Sequence, residues 1–444
     1  MVKNNYYVAI FSLLIVFQNA IQISVSAQET SKPISLEQAI SASLNNNKNI
    51  QLSNIDEKIA TSNYKQTDAI YLPHVSLSYT AFTTNNPLNA FGFNLQQRSV
   101  SQNDFNPDLL NHPSNTSDFS TKLEIQQPII NMNLMYKRKA ALKQKEVFAF
   151  LTQRTKEYVT FLVTKAFLQL ELSYEAVVVL EEALQTTKAV NKFTEDHFQQ
   201  GLIQKSDVLN TQVYIATVEK DLAAAKSNIA NASDFLSNLM GASFGNIYVP
   251  KKINDKKNND SISSNKLNES RADFVAMQKD IEASNLMIES SKKSYLPKLN
   301  AFGNYQLNDN KILGFGANSY LVGLQFSWDI FKGNKTKNEI ETQTLERNKL
   351  YLNLSKQKEE SQLELNKTYR EYNDGLFAIK QQNLAVEQAS EALRILTNRY
   401  QQGLVNTTDV LQATTQVSQQ KFGLTQAIFN TKITKAYIEF LTSN

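Results

Sequence analysis

The chain of 444 residues contains no cysteine. Disulfides, thiol catalysis, thiolate metal sites and a lipid-modified N-terminal cysteine are therefore excluded. Histidine is almost missing too. His74, His112 and His197 stand far apart, and no nucleophile–base set or metal cluster can be composed from them. Charge of one sign is lacking: 46 Lys and Arg against 42 Asp and Glu leave +4, too little for a nucleic-acid footprint. Beyond the first residues no apolar run approaches the length of a membrane helix. These absences predict a protein that is not an enzyme, with no cofactor, no bound metal and no nucleic-acid partner. Apolar residues at 41% and charged residues at 20% are enough for a sizeable core and argue against disorder.

What is present begins with an export signal. Lys3 precedes the apolar run Val8 to Phe17, and Val25-Ser26-Ala27 supplies the small residues of a cleavage site. Residues 1–27 are accordingly expected to be removed. Glycine and proline then divide the chain. There is neither between Pro128 and Gly201, and from Asn334 to Gln402 only Gly375. A helix filling either gap would be about 100 Å long at ~1.5 Å per residue. Phe148, Leu151, Thr155, Tyr158, Leu162, Ala166 and Leu170 recur in steps of three and four, as do Leu411, Thr415, Ser418, Phe422, Thr425 and Phe429. These are coiled-coil spacings, rich in small residues that suit close helix packing.

Four stretches switch to a period of two. Val75, Leu77, Tyr79 and Ala81 alternate with Ser76, Ser78 and Thr80; Phe119, Thr121, Leu123 and Ile125 alternate with polar residues. Leu299 to Leu307 and Tyr320 to Ile330 repeat the pattern with one apolar exception each, Phe302 and Leu321. One apolar face and one small-polar face suit a lipid-facing barrel strand, and equally a half-buried antiparallel sheet. Four strands cannot close a membrane barrel, which starts at about eight, and an open edge is not tolerated in lipid. Membrane strands would have to be shared among chains, eight from two or twelve from three.

The chain is also a tandem repeat. Tyr71-Leu72-Pro73 matches Tyr295-Leu296-Pro297, and Gln127 to Ile130 corresponds to Trp328 to Phe331, each closing a strand. The segment Phe198-Gln199-Gln200-Gly201-Leu202, ending in Asp207-Val208-Leu209, returns as Tyr400-Gln401-Gln402-Gly403-Leu404, ending in Asp409-Val410-Leu411. The first repeat is expected over 28–250, with a strand pair at 73–83 and 118–130, a long helix at 133–199 and a helix at 206–240. A polar linker follows at 251–270. The second repeat, 271–444, has a strand pair at 297–308 and 319–331, a long helix at 335–401 and a helix at 407–442.

An export signal, two halves in this order, paired Tyr-Leu-Pro junctions and two Gly-Leu…Asp-Val-Leu turns together resemble the TolC family of outer-membrane efflux proteins, over roughly Ile34 to Thr442. The resemblance implies a mainly α protein with a small β part: a homotrimer whose twelve strands form one β-barrel in outer-membrane lipid, continued by a long α-helical barrel in the periplasm. It further implies a passive exit channel of a tripartite efflux or type I secretion system, partnered by a periplasmic adaptor (membrane fusion protein) and an inner-membrane transporter. A periplasmic coiled-coil adaptor or scaffold without channel activity is the alternative. Gly201 and Gly403 are expected to end their helices in a left-handed conformation, with Ser206 or Thr408, followed by Asp207 or Asp409, offering N-cap or first-turn chemistry to the next helix. Three copies of Asp409 around one axis would form an anionic constriction, with Asp207 mainly capping. Gly201, Leu202, Val208, Leu209, Gly403, Leu404, Val410 and Leu411 are, by resemblance, the exposed ridge that docks an adaptor; ordinary interhelix packing is the other reading of them. Gln412 and Asn210 stand where family members often carry a second acid, so the resemblance does not extend to the doubled acidic constriction typical of cation-selective members. The long connection from Thr83 to Asp118 is expected outside the cell.

Overall fold

The computed structural model describes residues 31–251 and 266–443. The expected export signal and most of the expected linker lie outside the described residues. The chain opens with β1 (Ser31–Ile34), α1 (Leu36–Asn46) and α2 (Lys48–Gln66). β2 (His74–Thr84) and β3 (Thr116–Ile130) follow, with α3 (Pro87–Gln96) and the short α4 (Pro107–Asn111) between them. Then come α5 (Met132–Gln199), α6 (Lys205–Met240) and β4 (Ile247–Pro250). The second half contains α7 (Ala272–Lys293), β5 (Lys298–Asp309), β6 (Ala317–Ser327), α8 (Lys335–Gln401) and α9 (Thr407–Leu441). α5 and α8, of 68 and 67 residues, occupy the stretches without proline.

Local chemistry sets the boundaries. Ser35 and Gln38 form a capping box at α1, each side chain accepting the other residue's backbone N–H. β2 begins directly after Pro73 and β5 after Pro297, because proline cannot continue the preceding helix. The ladder between β3 and β5 slips at Pro128, which has no N–H to donate. α6 ends at Gly241, with φ +64°, where a Cβ would come within 2.6 Å of the Asn46 carbonyl oxygen. The strand expected at 319–331 stops at Ser327. Trp328 and Ile330 are therefore outside the ladder: the Trp328 indole donates to the Tyr295 carbonyl at 2.9 Å, and Gly333 and Asn334 turn the chain into α8 with positive φ.

Two compact units result, neither of which follows the repeat boundaries. The described residues of the first are 31–51, 156–251, 266 and 364–443. Its core gathers Phe167, Leu170 and Leu236, all fully buried, with Val163, Ile229 and Ile50. β1 and β4 form a parallel pair beside it, an element that the sequence patterns did not announce. Gly375 lets α8 approach α9 closely, since a Cβ there would sit 2.4 Å from the Thr431 hydroxyl.

The second unit comprises residues 52–155 and 267–363. It holds one antiparallel sheet in the order β2-β3-β5-β6, so β2 and β6 are its edges. At the start of α7, Asp273 accepts from the buried Arg271 guanidinium at 2.7 Å, and Arg271 lies over the Phe274 ring at 4.0 Å. Burial pushes the Asp273 carboxyl up, but the hydrogen bond and charge of Arg271, with the charge of Arg154, outweigh it and hold the group below its ordinary value. No described helix is long and apolar enough to cross a membrane.

Candidate functional site

Two regions carry the features that sequence singled out: the helix-to-helix turns in the first unit and the sheet in the second. Each turn closes the helix before it with the same hydrogen bonds. Gly201 N–H donates to the Phe198 carbonyl and Leu202 N–H to His197, both at 2.9 Å; Gly403 and Leu404 do the same to Tyr400 and Arg399, also at 2.9 Å. Gly201 and Gly403 hold φ of +75° and +72°. This is a Schellman close, and only glycine adopts it without a Cβ penalty.

The helix starts use the first-turn chemistry, one of the two options expected of these residues. The N-caps are Gln204 and Asn406, not Ser206 and Thr408. Asp207 and Asp409 stand at the third helical position and reach back, accepting the Gln204 N–H at 3.3 Å and the Asn406 N–H at 3.0 Å. Carboxylates in a first helical turn also meet the positive end of the helix dipole. Both aspartates are half-buried and occupied by this contact.

The proposed docking residues divide. Gly201, Leu202, Leu209, Gly403 and Leu404 are exposed. Val208, Val410 and Leu411 are buried, so they belong to the core and offer no ridge within the chain. Val410 and Leu411 pack with Val190 and Tyr400, flanked by Phe193 and Leu396.

A hydroxyl chain crosses the same place and was not anticipated. Tyr400 hydroxyl sits 2.7 Å from Thr194 Oγ1 and 2.8 Å from Thr407 Oγ1, all three residues buried. It ties α5, α8 and the start of α9 together. The available signal was Tyr400, which stands where the first half has Phe198. An open cavity of about 460 Å³ lies between the turns, lined by His197, Asp207, Tyr400 and Asn406 among others.

The register of the sheet sorts its side chains by row. Leu77, Leu123, Tyr305 and Tyr320 face one another across all four strands, as do Val75, Ile125, Gly303 and Val322. The row between them is Ser76, Glu124, Asn304 and the exception Leu321, and the row beyond Leu77 is Ser78, Lys122, Gln306 and Ser319. Paired residues share a face, so one side of the sheet is apolar and the other polar. The apolar side is exposed: Leu77 keeps 73% of its surface and Leu324 70%. The exception Phe302 is on the polar side, where its ring packs over Gly323. Among the described residues no group of three or more Asp, Glu or His is placed to hold a metal.

Comparison with known proteins fits this arrangement. The sequence pattern of the outer membrane efflux protein family matches residues 39–242 and 264–439. No curated protein sequence matches the chain. Among solved structures, CusC superposes with a TM-score of 0.77 at 16% identity, covering 93% of this chain and 94% of that one. The CmeC outer membrane channel of Campylobacter jejuni gives 0.73 at 14%, covering 92% and 85%. The outer membrane protein VceC of Vibrio cholerae gives 0.72 at 16%, covering 92% and 96%. At these identities the likeness is one of fold.

Proposed function

The chain belongs to the outer membrane efflux protein family, and we propose that it works as a homotrimeric, passive exit duct whose strands close one barrel in the outer membrane. The observation that carries this reading is the sheet. Four strands with edges at β2 and β6 cannot sit alone in lipid, yet one whole face is apolar and exposed. Three copies supply 3 × 4 = 12 strands and leave no edge. A soluble scaffold or adaptor would have no use for that face.

In this reading three copies of α5, α6, α8 and α9 wall a periplasmic tunnel. The tripartite partners are a periplasmic adaptor and an inner-membrane transporter that supplies the energy, so the duct itself performs no catalysis. Leu202, Leu209 and Leu404, with Gly201 and Gly403, are the residues left exposed to meet an adaptor. Asp409 contributes to an anionic constriction in addition to its capping role, while Asp207 mainly caps.

The test is detergent purification with mass determination, followed by planar-bilayer conductance. A trimer with discrete channels is expected. Asp409→Asn is expected to lower cation preference by about twofold while Asp207→Asn leaves it unchanged. A monomer without channels overturns the duct, and unchanged selectivity in Asp409→Asn removes the constriction role alone.

A further inference from the structure

The connection between β2 and β3 is built, not loose. Asn86 caps α3, its side chain accepting the Asn89 N–H, and Pro87 occupies the first turn. Phe93 stacks on Phe82 of β2 with ring centroids 5.9 Å apart. The Gln97 amide, just past the helix, donates to Asp118 of β3 at 2.9 Å and to the Ser117 carbonyl at 2.8 Å. Asp118 is 1% exposed, and its other oxygen accepts the Asn308 amide of β5 at 2.8 Å. The Arg98 guanidinium, held by a positive φ of 54°, donates to the Asn318 carbonyl of β6 at 2.9 Å. One helix and the residues after it are thus fastened to all four strands, at the end of the sheet away from the helix junctions.

The face is decisive. Phe82 pairs with Asp118 and Ser120 pairs with Asn308, so these residues share the polar face with Ser78, Lys122 and Gln306. α3 therefore lies on the side that becomes the inner wall when copies close the sheet. On α3 itself, Ala90 and Phe93 turn toward the sheet, and Ala90 is 1% exposed. Leu88 and Leu95, seven residues apart, share the opposite side and are 80% and 54% exposed. Leu88 and Leu95 thus leave more than half of their surface uncovered by their own chain.

We propose that α3 is a strap that narrows the outer mouth of the duct, and that its partner is the same helix of the other copies, Leu88 and Leu95 forming an apolar collar around the axis. Such a collar restricts hydrated solutes by dewetting and not by charge. The proposal rests on the trimeric duct of the preceding section. In the second half β5 and β6 are joined only by residues 310–316, held by Asp309 accepting the Lys311 and Gly316 N–H groups, so the collar is contributed by one half of each chain.

Because the chain has no cysteine, Leu88→Cys introduces the only thiol, at a position too exposed for folding to depend on it. Bilayer-inserted Leu88→Cys channels, labelled from the outer side with a bulky thiol reagent, are expected to lose about half or more of their current. Val322→Cys, on the apolar face, is expected to lose none. A Leu88→Cys thiol that resists the reagent must instead give disulfide-linked pairs of chains under mild oxidation. Confirmed labelling with unchanged current, or neither labelling nor pairs, overturns the collar and leaves the duct standing. Unmodified protein that forms no channel overturns both.

Discussion

The two helix-to-helix turns are written with the same motif and fold to the same backbone, yet they are embedded differently. Both close with Schellman hydrogen bonds of 2.9 Å, and both use an aspartate at the third helical position to accept from the N-cap. Their surroundings diverge at one oxygen. Tyr400 brings a hydroxyl that bonds Thr194 and Thr407, and beside it Leu411 is 7% exposed. Phe198 has no such group, and Leu209 keeps 50% of its surface. A motif fixes the path of a turn; the neighbours fix which of its side chains are available for anything else.

The halves also begin differently, and this gives one of the two largest expected effects. α1 starts on a neutral Ser35–Gln38 box, whereas α7 starts beside the buried Arg271–Asp273 pair. Asp273→Asn removes the carboxylate beside the buried Arg271 guanidinium, which keeps the Ser361 hydroxyl at 2.8 Å, and is expected to cost about 2 kcal/mol of unfolding free energy, read by thermal denaturation in detergent. Because the folded carboxyl titrates below its ordinary value of about 4, the stability it contributes is complete above that value. It is lost as pH falls through the lower, folded value. The wild type is therefore expected to lose stability at acid pH more steeply than Asp273→Asn. Parallel acid limbs would break the contrast between the halves.

Similar in size, Leu411→Ala is expected to cost about 2 to 3 kcal/mol and Leu209→Ala less than about 1. Equal losses would show that the turns are buried alike. The smallest effect is the most symmetrical. Gly201→Ala and Gly403→Ala meet no atoms within 4 Å, so each should cost only the left-handed backbone penalty, about 1 kcal/mol, and by the same amount. A marked difference between these two would mean that the shared backbone is not equally strained.

Much of this organisation is legible in the residues. The absence of glycine and proline marks α5 and most of α8, alternation marks the sheet, and Gly201 and Gly403 announce the left-handed closes. At the two helix starts the residues left N-cap and first-turn chemistry open, and the carboxylates of Asp207 and Asp409 supply the latter by accepting the N–H of Gln204 and Asn406. Burial of Val410 and Leu411 was not legible, since it depends on Tyr400 and Val190, which come from other helices. α3 hid inside an Asn- and Pro-rich stretch; Asn86-Pro87 is a helix start, but ten residues show too little periodicity to outweigh loop composition. The end of β6 was overrun because Trp328 and Ile330 prolong the alternation after the hydrogen-bond ladder has ended.

The unpaired rims of β2 and β6 have a further consequence for how the protein matures. A single chain carries two rows of unsatisfied backbone groups alongside a greasy face, a combination prone to sticking to whatever strand it meets first. In the proposed duct, lipid entry and association then become a single event, steep in protein concentration. The yield of inserted channels should depend steeply on how many copies arrive together, and no melting temperature of this chain has meaning without its concentration.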